Sequence, residues 1–581
     1  MSARLFFVFS LLVLGTAWTC ADAATFVVDN LADANDASPG NGVCDNGDGT
    51  CSFRAAVQEA NALAGPDRIE LVAGTHVLSI TRFVSGRRTL AKIFLQSEIE
   101  VVGAGTGQTI IFSDKRTVNG VMDVFLNKGN ELVAFRDLTF DLQTGGILFI
   151  YIGVGYAPDF TAFLLEDVEL LANSFVPSRP NGAGRLITTG VSGAVVLRRA
   201  FVQSQRRARG GALIDMTHNG NFVIEDSIFD GGNQYQIAAA QFFRGDEGGP
   251  IIVRDSIFRN FRSFGGGNAR NAVFFLNLFA LSDRIGELTI ERSTFESSLG
   301  AVNIINRGFQ ADVTITDTLF DGVSNAVRVS GPATGSITNS TISGGGTGIA
   351  LVTPEAGSGL VDLTLDSSTI TGAGTSISAP AALGTLTARN SIIANAITAE
   401  CVGTLTSAGH NLVEGACTIA GDTTGNVTGV DPQLAPLADN GGPTRTHALI
   451  AGSPAIDSGD EPNCPATDQR GFSRPADGDG DSTANCDMGA FEKDAVLVTN
   501  LPPTANDDQP AVNEDTAATT LDVASNDTDP DGNLDPTTTK TDCGTCSTPS
   551  NGGLVNNGNG TFDYTPAADF FGADSFVYEI C

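Results

Sequence analysis

The sequence predicts an all-β chain: a solenoid of stacked parallel coils with an N-terminal capping helix, followed by a separate C-terminal β-sandwich module. Two observations carry this. First, one six-residue rule recurs: apolar, free, Asp/Asn/Arg or small, small, free, apolar. Clear copies begin at Ile224, Val253, Ile290 and Ile315, and looser ones at Phe135, Leu165, Leu197, Ile337, Leu365 and Ala388. The interval averages roughly 28 residues and drifts between about 22 and 37, the span of repeats that bury their apolar faces only against their neighbours. Second, the chain holds 68 Gly but only 4 Met, and Lys is scarce, a composition that suits many tight turns and few helices.

Residues 1–23 read as a secretory leader. Arg4 supplies the positive start, Leu5 to Leu14 is an apolar run too short to span a bilayer, and Ala21-Asp22-Ala23 fits the small-x-small cleavage rule, which puts the mature start at Ala24. No later stretch is long and apolar enough to be a transmembrane segment. The expected location is outside the cytoplasm, either secreted or held at the cell surface or outer membrane. The net charge of −33 argues against nucleic acid and anionic membranes as partners.

Residues 24–68 form the N-terminal cap. Thr25-Phe26-Val27-Val28 is a first strand, followed by an Asp/Asn/Gly loop. Ser52 caps a helix through Ala64 whose Phe53, Ala56, Val57, Ala60, Leu63 and Ala64 share a face. Such a helix covers the raw end of a solenoid. Residues 69–400 carry the coils, and parallel stacking at roughly 4.8 Å per coil makes the repeats a rod on the order of 50 Å. The third motif position is Asp137, Asp167, Asp226, Asp255, Asp317, Asn339 or Asn390, types that tolerate a left-handed bend between strands. Arg199, Arg292 and Ser367 depart from it, so a less regular bend is expected there. The second position runs Arg136, Glu166, Arg198, Glu225, Arg254, Glu291, which in register makes an outward ladder of alternating charge that fixes register more than it stabilises.

The repeat fades over 401–492, which reads as a C-terminal cap for the rod. Residues 493–503 read as a linker, and 504–581 as the β module, with a two-residue period at Thr561-Phe562-Asp563-Tyr564. Local spacing in an exported chain pairs Cys44–Cys51, Cys401–Cys417 and Cys464–Cys486 as disulfides and leaves over Cys543, Cys546 and Cys581. Asp574 to Cys581 reads as a strand cut short, which makes the chain a fragment.

Three segments resemble modules of bacterial surface proteins. Cys51-Ser52-Phe53-Arg54-Ala55-Ala56-Val57 with Glu59-Ala60-Asn61-Ala62 resembles the CSLREA domain, with Phe53 in place of Leu and Ala55 in place of Glu. Residues 401–492 resemble the choice-of-anchor Q domain through Asp439-Asn440-Gly441-Gly442-Pro443-Thr444, Ser453-Pro454-Ala455-Ile456-Asp457 and Asp468-Gln469-Arg470-Gly471. From Thr504 onward the chain is similar to cadherin-like or Ig-like modules through Asn506-Asp507-Asp508, Asn513-Glu514-Asp515 and Asn526-Asp527-Thr528-Asp529-Pro530-Asp531-Gly532. The coils between resemble right-handed parallel β-helices of the pectin-lyase type. These resemblances imply an exported surface protein whose biochemical role is mostly undefined, and not by themselves an enzyme; the expected function is a non-catalytic scaffold for adhesion or glycan binding, with a polysaccharide lyase or glycoside hydrolase as the alternative.

Candidate chemistry is sparse. The arginines Arg198, Arg199, Arg206, Arg207 and Arg209 suit either an anionic polysaccharide or cell-surface glycan, or service as salt-bridge partners for the many acids. A lyase or glycoside hydrolase needs converging acids and a base; for a pectate-lyase-like site Asp215, Asp246 and Glu247 are available as acids and Arg206, Arg207, Arg209 and Arg244 as bases. His76, His218, His410 and His447 have no metal-ligand spacing. Structural calcium is the expected small partner, held by Asp527, Asp529, Asp531, Asp535, Glu514 and Asp515, with Asp477, Asp479 and Asp481 as a second set. Solvated turns are the competing reading of both.

Overall fold

The computed structural model describes residues 23–580, apart from 85–86, 91–92, 114–121, 127–131, 143–147, 153–160, 173–186, 189–193, 205–211, 218–220, 233–237, 245–249, 262–273, 279–285, 299, 307–309, 354–358, 498–502, 515, 529–533 and 542–545. The leader lies outside the described residues. The chain divides into two compact units, one ending at Val496 and one beginning at Leu497.

The first unit is a right-handed parallel β-helix. Each full coil lays one short strand on each of three faces. The first face runs from Thr25–Val28 through Asp67–Leu71 and Ile99–Val102 to Thr418–Asp422, each strand pairing in parallel with the equivalent strand of the next coil. The second runs from Gly74–Val77 to Val427–Thr428, and the third from Ile93–Leu95 to the start of Ala399–Ala408. Parallel connections of this kind are right-handed because twisted strands pack back onto the sheet only that way. Pairing thus continues to Thr428, beyond residue 400 where the motif fades. At the other end α1 (Phe53–Ala62) packs its Phe53, Ala56, Val57 and Ala60 into the coil core. Ser52 caps it by accepting from the Ala55 N–H, and buried Arg54 is held by Asp33 at 2.6 Å.

The corner between the first two faces is the regular part. Asp137, Asp167, Asp226, Asp255, Asp317, Asn339 and Asn390 all take positive φ, between 45° and 55°. Arg199, Arg292 and Ser367 do the same, at 47°, 43° and 45°, so the irregular bend expected at these residues is absent. The reason lies one residue later. The Ser227 hydroxyl donates to the Glu225 carbonyl and accepts the Ala200 N–H of the coil before. Ser256, Ser293, Thr318, Ser340, Ser368 and Ser391 repeat the pattern, each accepting the N–H of its counterpart one coil back. Asn411 and then Asn426 continue the column with side-chain amide oxygens. From Asp226 onward this spine holds the bend whatever side chain occupies the third position, Arg292 and Ser367 included; Asp137, Asp167 and Arg199 are followed by Leu138, Val168 and Ala200 and take the same bend without a hydroxyl of their own. Arg199 and Arg292 are anchored besides by Asp167 and Asp255 one coil back, at 2.7 and 2.8 Å. Inside, Phe229, Phe258, Phe295 and Phe320 stack with ring centroids 4.9, 5.1 and 5.1 Å apart.

The charged second position is in register across Arg136, Glu166, Arg198, Glu225, Arg254 and Glu291. Arg68 and Glu100 face each other two residues off this column, Glu100 lying opposite Ala134, and Arg136 reaches across to Glu100 at 2.9 Å. The acids are less exposed than a solvated face implies: the Glu166 side chain is 8 % accessible and takes Arg136, Arg198 and Arg199 together. Glu225 lies 3.0 Å from Arg198 and 3.6 Å from Arg254.

Beyond Thr428 the polypeptide turns back along the rod. Rather than closing its end, 431–492 lies on the corner and second face. Ile392, Ala394 and Leu412 of the coils form a second core with Leu449, Ala455, Ile456, Met488 and Phe491. The contact extends back to Asn390, Thr369, Thr341 and Asp317, and Arg445 reaches Glu296 at 3.0 Å and Asp321 at 2.8 Å.

In the second unit Thr561–Pro566 lies between Thr519–Asp522 and Gly552–Asn556 in an antiparallel sheet. Leu521, Val523, Phe562 and Tyr564 form its core. The strand expected over 574–581 is reduced, among the described residues, to single bridges from Val577 to Ser547 and from Glu579 to Lys540. Cys44–Cys51, Cys401–Cys417 and Cys464–Cys486 are bonded. Cys546, expected to be left over, is also in a disulfide, with a partner outside the described residues.

Arg254→Glu would place three carboxylates in one column between Glu225 and Glu291. The fold should persist while stability falls by about 1–2 kcal/mol, read as a lower melting temperature that recovers partly at high salt. An unchanged melting temperature would remove the ladder from the account of stability.

Candidate functional site

The arginine cluster is placed in part. Arg198 sits between Glu166 and Glu225, and Arg199 binds Glu166 and Asp167, so both spend their charge on neighbouring coils. Arg206, Arg207 and Arg209 lie outside the described residues. Among the lyase candidates, the backbone puts Asp215 and Arg244 on adjacent third-face strands, Ala212–Thr217 and Ala238–Arg244, with Asp215 opposite Gln241. Asp246 and Glu247 lie outside the described residues.

The folded-back segment concentrates the unit's buried charge. Arg470 pairs with Asp468 at 2.6 Å, and its guanidinium is clamped between the rings of Phe491 and Phe472, 3.7 and 4.1 Å from their centroids. Arg474 meets Glu492 at 3.3 Å with both side chains fully buried, and donates to the carbonyls of Asp487 and Gly489. Gln469 bonds Thr341 and Thr444, and Thr444 donates to the Asp317 carbonyl. Of these motif residues, Gln469 and Thr444 fasten the segment to the coils, while Asp468, Arg470, Arg474 and Glu492 bind one another or carbonyls within it. Burial, with the Glu492 charge beside it, pushes the Asp487 carboxyl up to about 7. Burial likewise raises Asp317 to about 7, and raises Glu492 against the pull of Arg474.

One carboxylate group converges at the surface of this segment. Asp457, Asp477 and Asp479 each offer an oxygen, all within 4.8 Å of one another. Asp481 does not join them; it accepts the Thr483 N–H instead. Asp457 was not legible as a partner because it comes from the Ser453-to-Asp457 motif, twenty residues away in sequence. Backbone N–H groups of Asp479 and Asn485 bond Asp457, and those of Gly480 and Ser482 bond Asp477, which leaves lone pairs on each carboxylate. Hard oxygen donors of this kind suit calcium.

In the second unit Asp527 is taken by the Asn506 N–H and the Tyr578 hydroxyl, at 2.7 and 2.9 Å. Asp535 caps the short turn Pro536–Thr538. Glu514 is exposed, and Asp515, Asp529 and Asp531 lie outside the described residues. Among the described residues, Asp527 and Asp535 join no group of three potential metal ligands. Sequence reading missed Asp508, raised by burial and by the neighbouring charges of Asp527, Asp522 and Asp507. Of the histidines, His410 and His447 bond the carbonyls of Ser458 and Ala435, as ordinary corner and packing residues do.

Residues 500–581 match the bacterial Ig domain family. The second unit is thus an Ig-like domain. Among solved structures, the A-module of the Azotobacter vinelandii mannuronan C-5 epimerase AlgE4 is similar at 15% identity, over 69% of this chain and 98% of that one, with a TM-score of 0.31. Pectate lyase Pel9A is similar at 12% identity, over 82% and 98%, with a TM-score of 0.32. The catalytic unit of a GH87 α-1,3-glucanase from Streptomyces thermodiastaticus is similar at 14%, over 71% and 72%, with a TM-score of 0.37. No curated protein matches the chain. No helix among the described residues is long and apolar enough to cross a membrane.

The raised Asp487 gives a pH signature. Between about pH 4 and 7 the unfolded chain has released this proton and the folded protein still holds it, so stability falls as pH rises through that window and levels off above it. Asp487→Asn should flatten the slope of denaturation midpoint against pH from 4 to 7; an unaltered slope would mean that another group sets it.

Proposed function

We propose that the protein is an exported, non-catalytic scaffold: a β-helical rod that contacts glycans or other surfaces along its flank and carries an Ig-like domain as a spacer. One observation carries this reading. The polar columns of the coils, Arg/Glu at the second position and Ser/Thr at the fourth, are committed to neighbouring coils, so the repeated chemistry serves stacking. The motif residues of 431–492 are likewise committed, Thr444 and Gln469 to the rod and Asp468, Arg470 and Glu492 within the segment. The leader in residues 1–23, the disulfides and the Ig-like domain support an extracellular place. In this reading the Cys51-to-Ala62 segment and 401–492 are CSLREA-like and choice-of-anchor Q-like modules of a surface protein.

The test is incubation of the purified protein with a panel of neutral and uronate-rich glycans, scored for binding, new reducing ends and unsaturated uronates. Binding without cleavage is expected. Turnover that is abolished by Arg244→Ala would replace this reading with a polysaccharide lyase or glycosidase; absence of both binding and turnover would leave a spacer.

Structural calcium at Asp457, Asp477 and Asp479 belongs to the same proposal. Millimolar calcium should raise the melting temperature of the first unit, and Asp457→Asn should remove the increment. A melting temperature indifferent to calcium and to chelator would remove the metal.

A further inference from the structure

Asp67 opens the second strand of the first face and is 3 % exposed. One carboxylate oxygen accepts the Ala24 N–H at 3.1 Å; the other is buried with no hydrogen-bond partner. No cation answers this charge among the described residues. The adjacent Arg68 side chain is turned to Glu70 and Glu100. The charged group that faces Asp67 from α1 is Glu59, itself fully buried, and it repels. Glu59 is held in place by the N–H groups of Gly40 and Gly42. A buried carboxylate with one orphan oxygen and a like charge beside it is costly unless something positive completes it.

The atom already in place is the Ala24 nitrogen. Within a continuous chain it is an amide with a single N–H. As a chain terminus it is an ammonium with three N–H donors and a full charge. Ala24 is also locked in position, because its carbonyl accepts the Arg68 N–H at 2.8 Å, while Ala23 before it is exposed. The Ala21-Asp22-Ala23 signature independently puts cleavage at this bond.

We propose that the folded protein begins at Ala24 and that its α-ammonium is the counter-ion of buried Asp67, so that removal of the leader completes the N-terminal cap. In the cleavage, a peptidase of the export machinery directs water onto the Ala23–Ala24 amide. The carbon–nitrogen bond breaks and the hydroxyl goes to Ala23, whose new carboxyl loses a proton. The Ala24 nitrogen gains a hydrogen and then a proton. The ammonium can serve both Asp67 oxygens, where the amide serves one. The inference goes beyond the scaffold reading, since it concerns maturation and not what the rod contacts.

The pH sense follows. Pairing with Asp67 raises the α-amino group above its ordinary range of about 7.7–8.0. Its stabilising contribution is complete below that range and disappears as pH rises through the folded value. Glu59 and Asp67 are the acids that face it.

The experiment compares the full mature chain released so that Ala24 is its first residue with the same chain carrying Gly-Ser before Ala24. Made this way, the comparison does not depend on export. At pH 7 the extended chain should melt a few degrees lower, and the gap should close at strongly alkaline pH and in the Asp67→Asn background. Equal melting of the two wild-type forms at pH 7 would overturn the proposal. Should Asp67→Asn fail to fold, acylation of the α-amine gives a second reading. A rise of one pKa unit slows it about tenfold relative to a free terminus, and an ordinary rate would overturn the proposal equally. Sequencing of the exported protein should return Ala24 first; any other start counts against it.

Discussion

The left-handed corner residue, locked by the hydroxyl that follows it, is the constraint on which the first unit rests. A positive φ in a residue other than glycine is unfavourable in isolation. Here it recurs at the same position of every motif coil, and from Asp226 onward each copy is held by the following side chain, which satisfies a carbonyl in its own coil and an N–H one coil back. That double engagement has two effects. It bends the chain so that the next strand starts on a new face, and it leaves no orphan backbone group at a buried turn. Parallel register, aromatic stacking and the charged column all follow from coils that turn at the same point.

Residue type explains how far sequence could see. The motif coils were legible because their corners draw on a small set of residues and their apolar positions alternate. The first coils were not. Asp67–Leu71 and Ile99–Val102 reach the second face through loops around Gly74 and Gly103–Gln108 instead of the corner, so they carry no motif to find. The irregularity inferred at Arg199, Arg292 and Ser367 came from attending to the residue that bends and not to the one that holds the bend. The folded-back course of 431–492 was hidden for another reason. Its anchors, such as Thr444 on Asp317 and Asn390 on Asp460, join residues far apart in sequence with no periodicity to announce them.

The candidate sites divide along the same line. Arg198 and Arg199 read in sequence as either ligands or ion-pair partners, and both form ion pairs with neighbouring coils. Asp477 and Asp479 were visible as a run, but the third carboxylate, Asp457, enters only through folding. The Asp-Gln-Arg and Asp-Met-Gly-Ala-Phe-Glu stretches look like chemistry because they combine acids, arginine and aromatics. In three dimensions Asp468 pairs with Arg470 and Glu492 with Arg474, all buried, where unpaired charge would be costly.

The alternating column stops at Glu291, whose neighbour in the next coil is Thr316. Arg445 takes hold five residues further on, at Glu296, and the folded-back segment continues from there. The solenoid is therefore bound by two devices laid end to end, with the joint near residues 291–296. In an array where each unit senses only its neighbours, dissimilar fastenings divide the melting behaviour. Added electrolyte weakens the charge-laced part and spares the strapped one, and titration of the strap's interior acids does the reverse. The molecule thus has a seam, invisible in its uniform cross-section, at which partial opening would come to rest.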